Sequence, residues 1–307
     1  MNKIGAFLIV LFTIPGIGFA GERISVFVSV APQKYFVQKI GKEWVSVQVM
    51  VQPGANPATY EPKPRQMANI SKAQVYFAIG VPFEEIWLDR IAATNADMRV
   101  VRTDRDIAKM PMAAHYHYDE KQDHPAAHDG HHAHGDHGSR RGENHHGLDP
   151  HIWLSPPLVK IQIRSILSTL QAIDPIHRDA YDTNYRQFVA EIDRLDRRIR
   201  KIFEGRRGLR FIVFHPAWGY FARTYGIDQV PIEIEGKAPK PAQLKELIDH
   251  ARAADIKVVF VQPQFSTKSA RLVAKEIGGQ VAFADPLAED WAANLEAVTQ
   301  SFKAALK

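Results

Sequence analysis

Short apolar runs alternate with stretches of helical periodicity along most of the chain. Ile24 to Val30 (ISVFVSV) is a β-branched run with charge before it and Ala31-Pro32 after it, the pattern of a buried strand. Pro32 to Ile40 then reads as a helix with proline in its first turn. Val45 to Val51 is the next strand, and Pro53 to Pro62 is a loop by its Pro, Gly and Asn content. A helix at Pro64–Ser71, a strand at Val75–Ala78, a helix at Pro82–Ala92 and a strand at Arg99–Val101 follow. Such alternation predicts a mostly parallel sheet covered on both faces.

The pattern breaks between Ala113 and His146 and resumes as helices. Pro156 to Leu170 is the first. In Ile176 to Phe203, Tyr181, Tyr185, Phe188, Ile192, Leu195, Ile199 and Phe203 recur at helical steps among charged residues, which predicts one long amphipathic helix. A second alternating set comes after it. Strands are expected at Phe211–Phe214, Gln229–Ile234, Val258–Val261 and Val281–Ala284. Helices follow His215–Phe221 and span Pro241–Ala254, Thr267–Ile277 and Asp290–Leu306. No residue-level internal repeat is visible. The expected fold class is α/β: two small α/β lobes with mostly parallel sheets, joined by a long rigid helix. The expected divisions are a segment 1–20, an N-terminal lobe 21–155 containing a loop 113–146, a helical connection 156–205 and a C-terminal lobe 206–307.

Composition changes this picture in three places. Ten of the fourteen histidines fall between His115 and His146, in a tract rich in Asp and Gly that cannot build a core. Neutral imidazole is the commonest protein metal ligand, so the tract points to metal handling. With no cysteine in the chain, a zinc site must use His, Asp, Glu or water. At the N-terminus, Lys3, the apolar run Ile4–Ile14 and small residues at Gly18 and Ala20 read as a signal peptide cleaved after Ala20, which predicts export to the periplasm. The formal charge of +5 is modest and scattered, so no nucleic-acid partner is expected.

Three residues share a context suited to chemistry. His215 follows the strand FIVF, Asp285 follows VAFA, and His151 stands where ordered sequence restarts after the tract. Ligands of open α/β sheets bind beyond the carboxyl ends of strands, and two imidazoles with a carboxylate suit zinc. Asp149 reads only as the start of an Asp-Pro turn.

These residues sit in motifs that resemble a known family. PGANPATYEP at Pro53–Pro62, DPHIWLSP at Asp149–Pro156, FHPAWGYF at Phe214–Phe221, QPQF at Gln262–Phe265 and DPL at Asp285–Leu287 resemble the metal-binding solute receptors of ABC transporters, specifically the zinc group of the ZnuA/TroA-like family. The resemblance implies two lobes joined by a rigid helix, with one metal in the interlobe cleft. It implies His151, His215 and Asp285 as ligands, and Zn(II) as bound substrate ahead of Mn(II), because manganese receptors usually carry Glu at the position of His215. It further implies a periplasmic receptor, not an enzyme, that hands zinc to a membrane ABC permease. The His-rich loop would act as metal collector or sensor. A periplasmic metallochaperone is a further candidate partner, and a monomer is expected.

Two positions depart from the family pattern. Ala58 stands where a histidine ligand is normal, which leaves the fourth ligand open between water, a tract histidine, Glu61 and Tyr60. Gln262 stands where zinc receptors often have Glu. Ala58 also keeps two other readings open: a zinc buffer or chaperone acting mainly through the tract, and a hydrolytic zinc site with three protein ligands. The absence of H-E-x-x-H and of a nucleophile elbow argues against the latter.

Overall fold

Two four-stranded sheets organise the chain, and every strand pairing in them is parallel. The computed structural model describes residues 22–112, 147–206, 208–233, 237 and 239–305. The expected signal peptide and the whole histidine tract lie outside these residues.

The first sheet holds β1 (Ile24–Val28), β2 (Val45–Val49), β3 (Val75–Ala78) and β4 (Arg99–Arg102) in the order β2-β1-β3-β4. The second holds β5 (Arg210–Val213), β6 (Asp228–Pro231), β7 (Val258–Val261) and β8 (Gln280–Phe283) in the order β6-β5-β7-β8. The two orders are the same. The repeat that residue identities hide is therefore present in the topology. Parallel strands need crossovers, and the crossovers are the expected helices: α1 (Ala31–Gly41), α2 (Pro64–Ile70) and α3 (Pro82–Thr94) in the first lobe, and α6 (Gly219–Tyr225), α7 (Pro241–Ala253) and α8 (Lys268–Glu276) in the second. Proline stands in the first turn of α1, α2, α3 and α7, where its missing N–H costs nothing.

Between the lobes run α4 (Pro156–Ile173) and α5 (Arg178–Phe203), and α9 (Trp291–Ala305) closes the chain. Most of the expected stripe of α5 is buried: Tyr181, Phe188, Ile192, Leu195, Ile199 and Phe203 face inward, and Tyr185 is half-buried. The helix starts two residues later than expected, because Pro175–His177 forms a separate 3-10 turn after Asp174. Along its length α5 packs on α1, α4, α6 and α9. One hydrophobic core runs through both lobes, from Val26 and Phe36 through Trp153 and Phe188 to Phe211 and Phe302. A smaller one fills the outer layer of the second lobe.

One strand differs from expectation in a way that matters for the site. Gln229–Ile234 reads as a single strand, but β6 ends at Pro231. Beyond it the chain bends over the end of β5: the N–H groups of Ile232 and Glu233 both reach Phe214 O. Glu233 thus leaves the sheet and turns toward its end. Pro231 itself is tolerated because β6 is an edge strand.

Candidate metal site

In each sheet the chain starts at an inner strand and moves first to one side and then to the other. Loops that leave such a switch point diverge and open a crevice at the carboxyl ends of the strands. Here the two crevices face each other. Asn56, Pro57 and Ala58 after β2, Val81 and Pro82 after β3, His215 after β5, Gln264 and Phe265 after β7, and Pro286 and Leu287 after β8 line one cavity of about 70 Å³, with Pro150 and His151 from the segment between the lobes.

His151 is buried directly before a 3-10 turn, Ile152–Leu154. Asp149 holds it twice: its Oδ1 accepts the His151 backbone N–H at 2.9 Å and Nδ1–H at 2.7 Å. The Asp-Pro turn read from the sequence is real, and the same carboxylate also fixes the ring. Burial lowers the pKa of this imidazole below the ordinary histidine value, against the opposing pull of Asp149. The neutral form needed for metal binding is therefore favoured. Behind Asp149, Gly219 opens α6, and a Cβ there would come within 2.8 Å of Asp149 Oδ2. Only glycine lets the helix approach so closely.

His215 is fixed from three sides. Its Nδ1–H donates to Glu233 Oε1 at 2.5 Å, and its ring stacks on Phe265 with centroids 4.9 Å apart. Gln262 clamps the backbone: its Oε1 accepts the His215 N–H at 3.2 Å and its Nε2 donates to His215 O at 2.6 Å. Gln262 is thus an amide committed to main chain. Among the described residues, the carboxylate that holds His215 comes from Glu233, which the sequence pattern places inside an overlong strand.

The two histidine rings lie 5.1 Å apart between centroids. With Nδ1 of each on a carboxylate, each ring leaves Nε2 as the free acceptor. Asp285 is placed differently. Its Oδ1 accepts Gln264 Nε2 at 3.0 Å and the Leu287 N–H at 2.9 Å, and the residue lines an adjoining crevice of about 240 Å³ with Gln52, Gly54 and Glu289. Gln264 lines both spaces and stands between Asp285 and the imidazoles. The structure thus brings His151 and His215 together and leaves Asp285 next door. Among the described residues no three His, Asp or Glu side chains are grouped to hold a metal ion.

Two candidates for the open ligand position are directed elsewhere. The Tyr60 hydroxyl donates to Gln66 Oε1 at 2.7 Å, and Glu61 is exposed. Neither lines the cavity, whereas Ala58 does.

Residues 26–305 match the family described as zinc-uptake complex component A, periplasmic. The chain belongs to this family. It is 27% identical over 264 residues to the high-affinity zinc uptake system protein ZnuA of Bacillus subtilis, covering 85% of this chain and 77% of that protein. A putative metal-binding protein of Treponema pallidum is 28% identical over 262 residues, covering 85% and 78%. Among solved structures, a crystal structure of ZnuA superposes with a TM-score of 0.80 at 40% identity, over 93% of this chain and 100% of that one. A zinc-bound deletion mutant of ZnuA matches at the same score and identity, over 93% and 99%. Family membership accounts for the two-lobe fold and its connecting helix. Among the described residues, no helix is long and apolar enough to cross a membrane.

Proposed function

We propose that this chain is a periplasmic receptor that captures Zn(II) between its lobes and delivers it to a membrane ABC permease. Zinc is its substrate. His151 and His215 bind it through Nε2, and Asp285 joins them when its carboxylate exchanges the Gln264 amide for the ion. The observation that carries this reading is the pair of imidazoles, each turned by a carboxylate so that Nε2 is free. A tetrahedral ion about 2 Å from both Nε2 atoms separates the ring centres by roughly 5 Å, which agrees with the 5.1 Å found.

The function is binding and release, not catalysis. Residues 21–155 and 206–307 act as the two lobes with 156–205 as connector, and the tract 113–146 collects zinc near the cleft. The chain reaches the periplasm through a signal peptide cleaved after Ala20 and works as a monomer. A periplasmic metallochaperone is a second protein partner.

Competitive zinc titration of the mature chain, with and without 113–146, tests this. One tight site that survives removal of the tract and is lost in His151→Ala and in His215→Ala is the expected result. Several weak sites that vanish with the tract, and no effect of either substitution, would replace the receptor with a buffer.

A further inference from the structure

Two buried carboxylates stand behind the imidazoles, and each has one oxygen left over. Asp149 is fully buried and Glu233 is 6% exposed. Asp149 Oδ1 and Glu233 Oε1 face the histidines, while Asp149 Oδ2 and Glu233 Oε2 are buried with no hydrogen-bond partner among the described residues. Such groups are costly: an unpaired buried polar oxygen destabilises a fold, and a buried carboxylate more so. A carboxylate needed only to orient a ring would not have to be charged, since an amide oxygen accepts the same Nδ1–H bond.

The charges on the cavity side make the cost intelligible. Among the described residues, the groups that line it are two imidazoles, a methyl group at Ala58, amides at Asn56 and Gln264, and apolar side chains. Gln262, a further amide, is spent on the backbone of His215. Desolvating a dication among neutral groups is strongly unfavourable unless negative charge lies close by.

We propose that Asp149 and Glu233 are positioning residues that also supply, through the two imidazoles, negative charge for a divalent cation that Asp285, a single carboxylate drawn from the adjoining crevice, would leave only half balanced. In the metal-free protein they are a built-in electrostatic strain. Arrival of the ion relieves it, and each carboxylate fixes the orientation of the ring it holds. The ion touches neither residue. The inference rests on the zinc-receptor reading above and assigns part of its affinity to residues outside the ligand set.

Asp149→Asn and Glu233→Gln keep an oxygen facing Nδ1 and remove the charge. Zinc affinity, by chelator competition, is expected to fall about 10- to 100-fold in each. The urea midpoint of the metal-free protein is expected to stay the same or rise, because an unpaired buried charge has gone. Affinity falls without a loss of metal-free stability, which a purely structural role cannot produce. Wild-type zinc affinity in both amide variants would overturn the proposal, and so would metal-free variants that are destabilised or fail to fold. His215→Ala serves as the reference. If it too binds zinc like the wild type, the receptor reading itself fails, whereas a His215→Ala loss beside unaffected amide variants removes only the role of the carboxylates.

Discussion

Ala58 occupies the wall of the cavity that holds His151 and His215, so the position is sterically right for a ligand and chemically empty. Ala58→His is expected to tighten zinc binding about tenfold or more, a gain of about 1.4 kcal/mol, measured by competitive titration. Unchanged affinity would mean that the site is already saturated with ligands. His151 and His215 were legible in the sequence because each stands at a break after apolar residues, where α/β folds place ligands. Asp285 stands at the same kind of break, but its carboxylate rests on Gln264 in the adjoining crevice, so its place among the ligands is a proposal. Asp149 and Glu233 were not legible. In the sequence Asp149 already has an adequate local explanation, the turn before Pro150. Glu233 follows Gln229–Ile232 without a break in the strand-like pattern, and only the bend over Phe214 reveals it.

At the scale of elements, the rim of the cavity depends on a buried ion pair. Asp104, just after β4, takes Lys109 Nζ at 2.6 Å and Arg102 at 3.1 Å. Lys109 also reaches the carbonyls of Ile79 and Gly80, next to the cavity residues Val81 and Pro82. Gly80 has φ +81°, and a Cβ there would collide with Lys109 Nζ and Asp104 Oδ2, so only glycine fits. Burial pushes the Asp104 carboxyl up, but hydrogen bonds and charge from Arg102 and Lys109 outweigh it and hold the group below the usual aspartate value. Its folded pKa therefore lies below its unfolded one. The stabilisation is complete above about pH 4 and is lost as pH falls through the folded value. Asp104→Asn is expected to cost about 3 kcal/mol at pH 7, the low end for a broken buried pair because Arg102 is half exposed. In urea denaturation the gap to wild type should close as the pH drops toward 2. A gap that persists in acid would assign the cost to packing.

The helices were legible from their stripes, and so was the long connector. Its role as a shared wall was not, because that depends on partners distant in sequence. Phe188 of α5 meets Tyr35 and Phe36 of α1 and Trp291 of α9, with centroids 5.8, 6.1 and 6.5 Å away. Phe188→Ala should cost about 3–5 kcal/mol and lower the thermal midpoint of the whole molecule in a single transition. Two separated transitions would show that the lobes fold independently of this cluster.

At the scale of the whole molecule, the lobes are tied at many points besides α5. The Trp153 indole donates to Pro286 O at 2.6 Å, the Trp291 indole donates to Trp153 O at 2.7 Å, and Lys34 pairs with Glu289 at 2.6 Å. The Tyr220 hydroxyl donates to Asp149 O and accepts the Met110 N–H. With a single core through both halves, zinc capture is expected to proceed by local adjustment around Asp285 and Gln264, with backbone shifts of about 1 Å or less. Scattering profiles of the metal-free and zinc-loaded protein should superimpose. A clear contraction on loading would require a hinge in or beside α5.

Trp153 has a consequence of another kind. Its ring lies 5.2 Å from that of His151, and its indole nitrogen is bonded to the residue following Asp285. It is fully buried, and it is one of only five tryptophans in the chain. Zinc has no colour and no unpaired electron, yet this chromophore touches one proposed ligand and is bonded next to another. The protein carries its own optical reporter, and intrinsic fluorescence can follow the loading and unloading of a spectroscopically silent cargo without any added label.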